Sequence, residues 1–312
     1  MGTSDYRMAT TESVLRRGLE RSGDELILTL DPAFQGLPDT AHGGSVLAVF
    51  HLLAGGNGRQ TVRGIYRKRV PLGVPLPLTT TLADGALACN LLDASNTTLV
   101  EGHVRRPGPD GPSETRVVRT VASGGVEEAT RDVASVVEDS PPVLADRGDP
   151  LPVSSTCFAC GVDNPLGLRV RLMHDDAVVG GTWQPREGFR TADGALAPVA
   201  LTTLLDETAF WLGALASGES GMTTELVVTL HDSVPFGSAI TVGGARGRAR
   251  QRADDPRYWD TEVAARDEAG RLLADARITF VAVRGSARRL AAWLLTTNPP
   301  EIVRRVFPAS VR

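Results

Sequence analysis

The sequence predicts an α+β fold built from two copies of one unit. Three observations carry this. The chain has 312 residues, 42% of them apolar, which suits about two domains with cores of their own. A stretch rich in Pro and Gly, from Pro107 to Pro152, interrupts it. The flanking halves then repeat one order of elements: a strand, a helix and several further strands. The units are placed at 14–106 and 153–284, with a linker over 107–152 and a helical tail over 285–312.

In the first unit, DELILTLDPAF (24–34) alternates polar and apolar residues and predicts a strand. A polar loop with Gly43 and Gly44 follows, then a helix with apolar residues on most faces. Such a helix is buried, wrapped by its sheet. TVRGIYRKRVPLGVPLPLTTTL (61–82) and TTLVEGHVRR (97–106) supply strands. In the linker, VEEATRDVASVVED (126–139) has helical character. The second unit offers DDAVVGGTWQPREGF (175–189), a loop, and the helix APVALTTLLDETAFWLGALA (197–216). The strand runs 223–244, 259–270 and 271–283 follow it. Arg69-Val70-Pro71-Leu72-Gly73 corresponds to Ser233-Val234-Pro235-Phe236-Gly237, a short turn entering a new strand in each copy.

Composition excludes several functions. A net charge of −4 points away from nucleic acid and anionic membrane surfaces. No run of eighteen apolar residues predicts a membrane span. The first 23 residues lack the apolar core of a secretion signal. The three cysteines cannot all pair, which suits a reducing compartment, and the chain is expected to be cytoplasmic. Asn96-Thr97-Thr98 is then a chance match to a glycosylation pattern. No G-x-S-x-G elbow, phosphate loop or dinucleotide fingerprint stands in the right context.

Several stretches resemble one family. CFACGVDNPLGLRVRL, from Cys157 to Leu172, is similar to the opening of hotdog-fold acyl-thioesterases of the phenylacetyl-CoA thioesterase-like type. FQGLPDTAHGG (34–44) resembles that family's active-site loop, LTTLLDETAFWLG (201–213) its acidic helix, and TTELVVTLHDSVPFG (223–237) the strand after it. The resemblance covers most of both halves but neither the linker nor the tail. It implies a double hotdog: two curved antiparallel sheets, each wrapping a central helix, with the two helices antiparallel. Active sites then form between units, from the helix start of one and a carboxylate on the helix of the other.

In the family pattern the acid follows the His of His-Gly-Gly by nine residues. Counting from His42 gives His51, which is no acid. Counting back from Asp206 gives Ala197, followed by Pro198 and Val199 in place of the glycines. Each copy has kept what the other lost. Nine residues at 1.5 Å set an acid about 13 Å from its own helix start, so it serves the antiparallel neighbour's. One working composite site is expected, and one dismantled one.

The roles expected from the resemblance are as follows. The Gly43 amide, at a helix N-terminus, polarises a thioester carbonyl. Asp206 acts as general base or nucleophile. Gln35, although Phe34 replaces the family's preceding His, orients water or the carbonyl, and the Thr223 hydroxyl stands near the acid. His42, Gly44 and Glu207 bind substrate or shape the loop, with Glu207 turned about 100° from Asp206 toward solvent. No cofactor and no metal are expected: Cys157-x-x-Cys160 has only Cys89 besides, whereas a closed zinc site needs four ligands. Arg63, Arg67, Lys68 and Arg69 form a basic stretch that suits CoA phosphates or a solvated strand. The expected partner is an acyl-CoA or acyl carrier protein, with assembly into homo-oligomers open. Two rival functions share the fold: a dehydratase, cyclase or lyase on a biosynthetic acyl intermediate, and a non-catalytic acyl-CoA binder.

Overall fold

Two helices with apolar residues on nearly every face organise the chain. In the computed structural model they are α2 (Gly43–Ala54) and α3 (Pro198–Ser217), packed against each other. The structure describes residues 9–23, 25–55, 58–83, 85–106 and 148–311, with Tyr6 and the short strands at 118–120 and 126–128. A short helix α1 (Thr11–Arg17) precedes the sheet. By length and composition α3 could cross a membrane, yet 83% of its apolar window is buried inside the fold.

The first half contributes β1 (Leu19–Ser22), β2 (Glu25–Thr29), β3 (Gln60–Tyr66), β4 (Pro75–Ala83), β5 (Ala86–Leu92) and β6 (Thr98–Arg105). β7 (Val118–Thr120) and β8 (Val126–Glu128) pair with each other. The second half contributes β9 (Asp149–Pro150), β10 (Met173–His174), β11 (Val178–Trp183), β12 (Gly221–Leu230), β13 (Ile240–Ala245), β14 (Arg250–Gln251), β15 (Tyr258–Arg266) and β16 (Leu272–Ala282). Reading outward from the centre, one half runs β3-β6-β5-β4-β2 and the other β12-β16-β15-β13-β11. The topologies match strand for strand. The halves join where β3 pairs antiparallel with β12, from Gln60↔Leu230 to Ile65↔Glu225. Along β15 buried residues alternate with half-buried ones, the period expected of a sheet with one face on a helix. Each sheet wraps its own helix, and the protein is a double hotdog.

Local hydrogen bonds repeat as well. Ala41 N–H donates to Val70 O at 2.9 Å, and Leu196 N–H to Val234 O at 2.7 Å. His42 N–H donates to Phe34 O at 2.8 Å, and Ala197 N–H to Phe189 O at 2.8 Å. These pairs make His42 equivalent to Ala197, and nine residues on, His51 equivalent to Asp206.

The Cys157 segment clamps the halves together. Phe158 is fully buried, with its ring 4.9 Å from that of Phe34 and 6.1 Å from that of the equivalent Phe189. Its amide donates to Gln35 O at 2.6 Å. The buried Asn164 amide donates to Ala33 O at 2.7 Å and Thr156 O at 2.8 Å.

Two details depart from the sequence reading, and a third adds packing to the expected helical tail. Val126–Glu128, the start of the stretch read as helical, is a strand, and the remainder lies outside the described residues. Asp149–Pro150, read as linker, pairs with β10. The tail forms two helices, α4 (Ser286–Leu294) and α5 (Pro300–Val306), and folds back onto α3: the Phe307 ring lies 6.5 Å from that of Trp211.

Candidate active site

The site forms where α2 begins. His42 is the N-cap residue, and the first amides of the helix have no partner within it. Asp206, near the middle of α3, reaches this point from the other half. Its Oδ2 accepts from the Gly44 amide at 2.9 Å and lies 3.1 Å from His42 Nδ1. Its Oδ1 accepts from the Thr223 hydroxyl at 2.7 Å. The Gly43 amide donates to no protein group among the described residues.

His42 lies between two carboxylates, with Nε2 3.4 Å from Glu207 Oε2. Burial pushes its pKa down, but the hydrogen bonds to Asp206 and Glu207 outweigh this and hold it well above the ordinary value. Each ring nitrogen faces a carboxylate oxygen, an arrangement that favours the imidazolium. The Gly44 amide also lies 3.3 Å from Nδ1. A protonated Nδ1 has no lone pair to offer, so Asp206 is the acceptor of that amide. Burial would raise the Asp206 carboxyl, yet His42, Thr223 and Gly44 keep it below the usual carboxylate range.

Glu207 is not solvated. Only 6% of it is exposed, and its Oε1 accepts from Trp211 Nε1 at 3.1 Å. α3 is covered all round, so a turn of 100° leads from one buried surface to another. Gly44 lies outside the cavity; besides holding Asp206 it is the point of closest helix contact. Thr202 donates its hydroxyl to Gly44 O at 2.7 Å, and a Cβ at Gly44 would stand 2.5 Å from Thr202 O. Gln35 is also outside: its side-chain amide donates to Thr156 Oγ1 at 2.6 Å, on the Cys157 segment. Its backbone, which seats Phe158, is its structural contribution.

A cavity of about 530 Å³ opens onto Gly43, His42, Asp206 and Thr223. Sequence reasoning missed Tyr66, at the end of β3, whose hydroxyl donates to Gly43 O at 2.7 Å. Burial and the Asp206 charge push its pKa well up, so it stays a neutral donor. Its signal was a lone aromatic at the head of the basic stretch. Arg67, Lys68 and Arg69 line the cavity, whereas Arg63 pairs with Glu225 across the β3–β12 join at 2.7 Å. Apolar lining comes from Phe210 and Trp211 of α3 and Leu290, Trp293 and Leu294 of α4. Cys157 and Cys160 also face this space, and His42, Cys157 and Glu207 are the residues placed to hold a metal ion.

The equivalent position in the other copy is different in kind. Pro198 stands where Gly43 does and has no N–H to offer. His51 stands where Asp206 does. It is buried, its pKa is pushed down by burial, and its Nδ1 has no hydrogen-bond partner among the described residues.

Fold and site together place the protein in the class of double hotdog proteins with an acid at the helix crossing. Among solved structures, it is similar over 89% of its length to all of a putative thioesterase II from Thermobifida fusca YX, at 16% identity and a TM-score of 0.56. An acyl-CoA thioesterase II from Mycobacterium marinum matches 85% of this chain with 95% of its own, at 10% identity and a TM-score of 0.50. A hot dog fold protein from Alicyclobacillus acidocaldarius matches the same shares at 11% identity and a TM-score of 0.50. No family model and no curated protein matches the sequence.

Proposed function

We propose that the protein hydrolyses acyl thioesters, carried on CoA or an acyl carrier protein, at the single site formed by Gly43 and Asp206. The observation that carries this reading is the meeting of Asp206, from one half, with the start of α2 in the other, while Pro198 and His51 occupy the equivalent place. The thioester carbonyl docks on the Gly43 amide at the positive end of α2. As water attacks, the carbonyl oxygen gains charge that this donor stabilises. One such donor is worth about 3 kcal/mol. Asp206 takes the proton from the attacking water. The C–S bond then breaks, and the same proton passes to the leaving thiolate. Thr223, Gly44 and His42 orient the carboxylate, and Tyr66 fixes the first turn of α2 through Gly43 O.

The test is thiol release from a panel of acyl-CoA and acyl-pantetheine substrates. Asp206→Asn keeps the shape and removes the base, so release is expected to fall by at least about a hundredfold. Release that survives the substitution rules out Asp206 as the base. A wild type that binds acyl-CoA but releases no thiol turns the reading to a binder, and a rearranged acyl product turns it to a lyase or cyclase.

A further inference from the structure

We infer that His42, Cys157 and Glu207 form a binding site for one zinc-class divalent cation, beside Asp206 and open to the cavity. The inference does not depend on the thioester reading, since occupancy is measured without substrate. The three residues come from the N-cap of α2, the Cys157 turn and α3. Their candidate ligand atoms all lie within 4.8 Å of one another. His42 Nε2 and Glu207 Oε2 are 3.4 Å apart. Bonds of about 2.0–2.2 Å in a tetrahedral site give edges of roughly that length. All three residues are buried, so water does not compete strongly for the ligands.

The partners behind the ligands are also in place. His42 Nδ1 meets Asp206, which aims Nε2 at the site. The Trp211 indole N–H holds Glu207 Oε1 and turns Oε2 toward His42 Nε2 and the site. The Ala159 amide donates to Cys157 Sγ at 3.3 Å, which fixes the sulfur in place. A donor set of nitrogen, sulfur and oxygen suits zinc, whereas calcium and magnesium take oxygen ligands. Three protein ligands leave a fourth position on the cavity side, as in zinc sites that hold water or substrate. Without metal, His42 bridges Asp206 and Glu207. A coordinated Nε2 carries no proton. Counting cysteines misses such a site, because two of its three ligands are not cysteines and stand far from Cys157 in the sequence.

The test uses the full chain, stripped with a chelator under reductant and titrated with Co²⁺ and then Zn²⁺. One equivalent of cobalt is expected, with a thiolate-to-cobalt charge-transfer band that zinc abolishes. Cys157→Ser should remove the band, while Cys160→Ser and Cys89→Ser keep it. Trp211→Phe should weaken cobalt binding by about tenfold or more. A folded, stripped wild type that takes up no stoichiometric metal overturns the proposal, as does a band that survives Cys157→Ser. If Cys157→Ser fails to fold, Glu207→Gln decides: affinity should drop at least tenfold, and unchanged affinity overturns the site.

Discussion

Gly43 and Gly44 are neighbours with different duties. A Cβ on Gly44 would stand 2.5 Å from Thr202 O and 2.7 Å from Thr203 Cα, both backbone atoms of α3. Backbone does not yield locally, so the helices must part. Gly44→Ala is expected to lose about 1–3 kcal/mol in urea denaturation, the usual cost of overpacking. A Cβ on Gly43 would instead stand 2.7 Å from Asp206 Oδ2, the end of a side chain. That carboxylate can give way without the helices parting, although Gly44, His42 and Thr223 hold it. Gly43→Ala should therefore lose less stability than Gly44→Ala while thiol release falls steeply. Equal stability losses in the two variants would refute this division. The same scale explains why Glu207 was misread: exposure is not a property of one residue's angle when every face of a helix is covered.

At the scale of elements, the Cys157 segment and the tail each do what no local pattern announces. Phe158 links Phe34 and Phe189, the equivalent rings of the two copies, so it packs on both halves at once. Phe158→Ala is expected to cost about 3–5 kcal/mol, within the range for a buried Phe. A denaturation loss under 1 kcal/mol would show that the clamp is not needed. Helix α4 lines the cavity with Leu290, Trp293 and Leu294. Trp293→Ala should raise KM for bulky acyl groups severalfold and leave short-chain substrates nearly unchanged. A change in kcat alone, equal for all chain lengths, would remove α4 from substrate selection.

At the scale of the whole molecule, the β3–β12 join makes one sheet of two, and buried apolar residues of both halves form one connected core. Neither half has a complete site: α2 supplies the amide and α3 the acid. The two halves are therefore expected to unfold together. All four tryptophans, Trp183, Trp211, Trp259 and Trp293, lie in the second half, while backbone circular dichroism reports both. The two signals should trace one denaturant transition with the same midpoint. A dichroism change that precedes the fluorescence change would show a first half that unfolds alone.

The sequence by itself determined the duplication, the two buried helices, the matching turns at Val70 and Val234, and the nine-residue spacing that relates His51 to Asp206. These are local features: hydrophobic period, turn chemistry and distance along a helix are written within a few tens of residues. Only the tertiary structure decided that Gly44 holds Asp206, that Gln35 turns away to Thr156, that Glu207 is buried against Trp211, and that Tyr66, Cys157 and α4 wall the same cavity. The contact of Gly44 with Asp206 spans 162 residues. It depends on the register of β3 on β12 and on the crossing of α2 with α3. Those are set by the packing of the whole core, which no single stretch of sequence encodes.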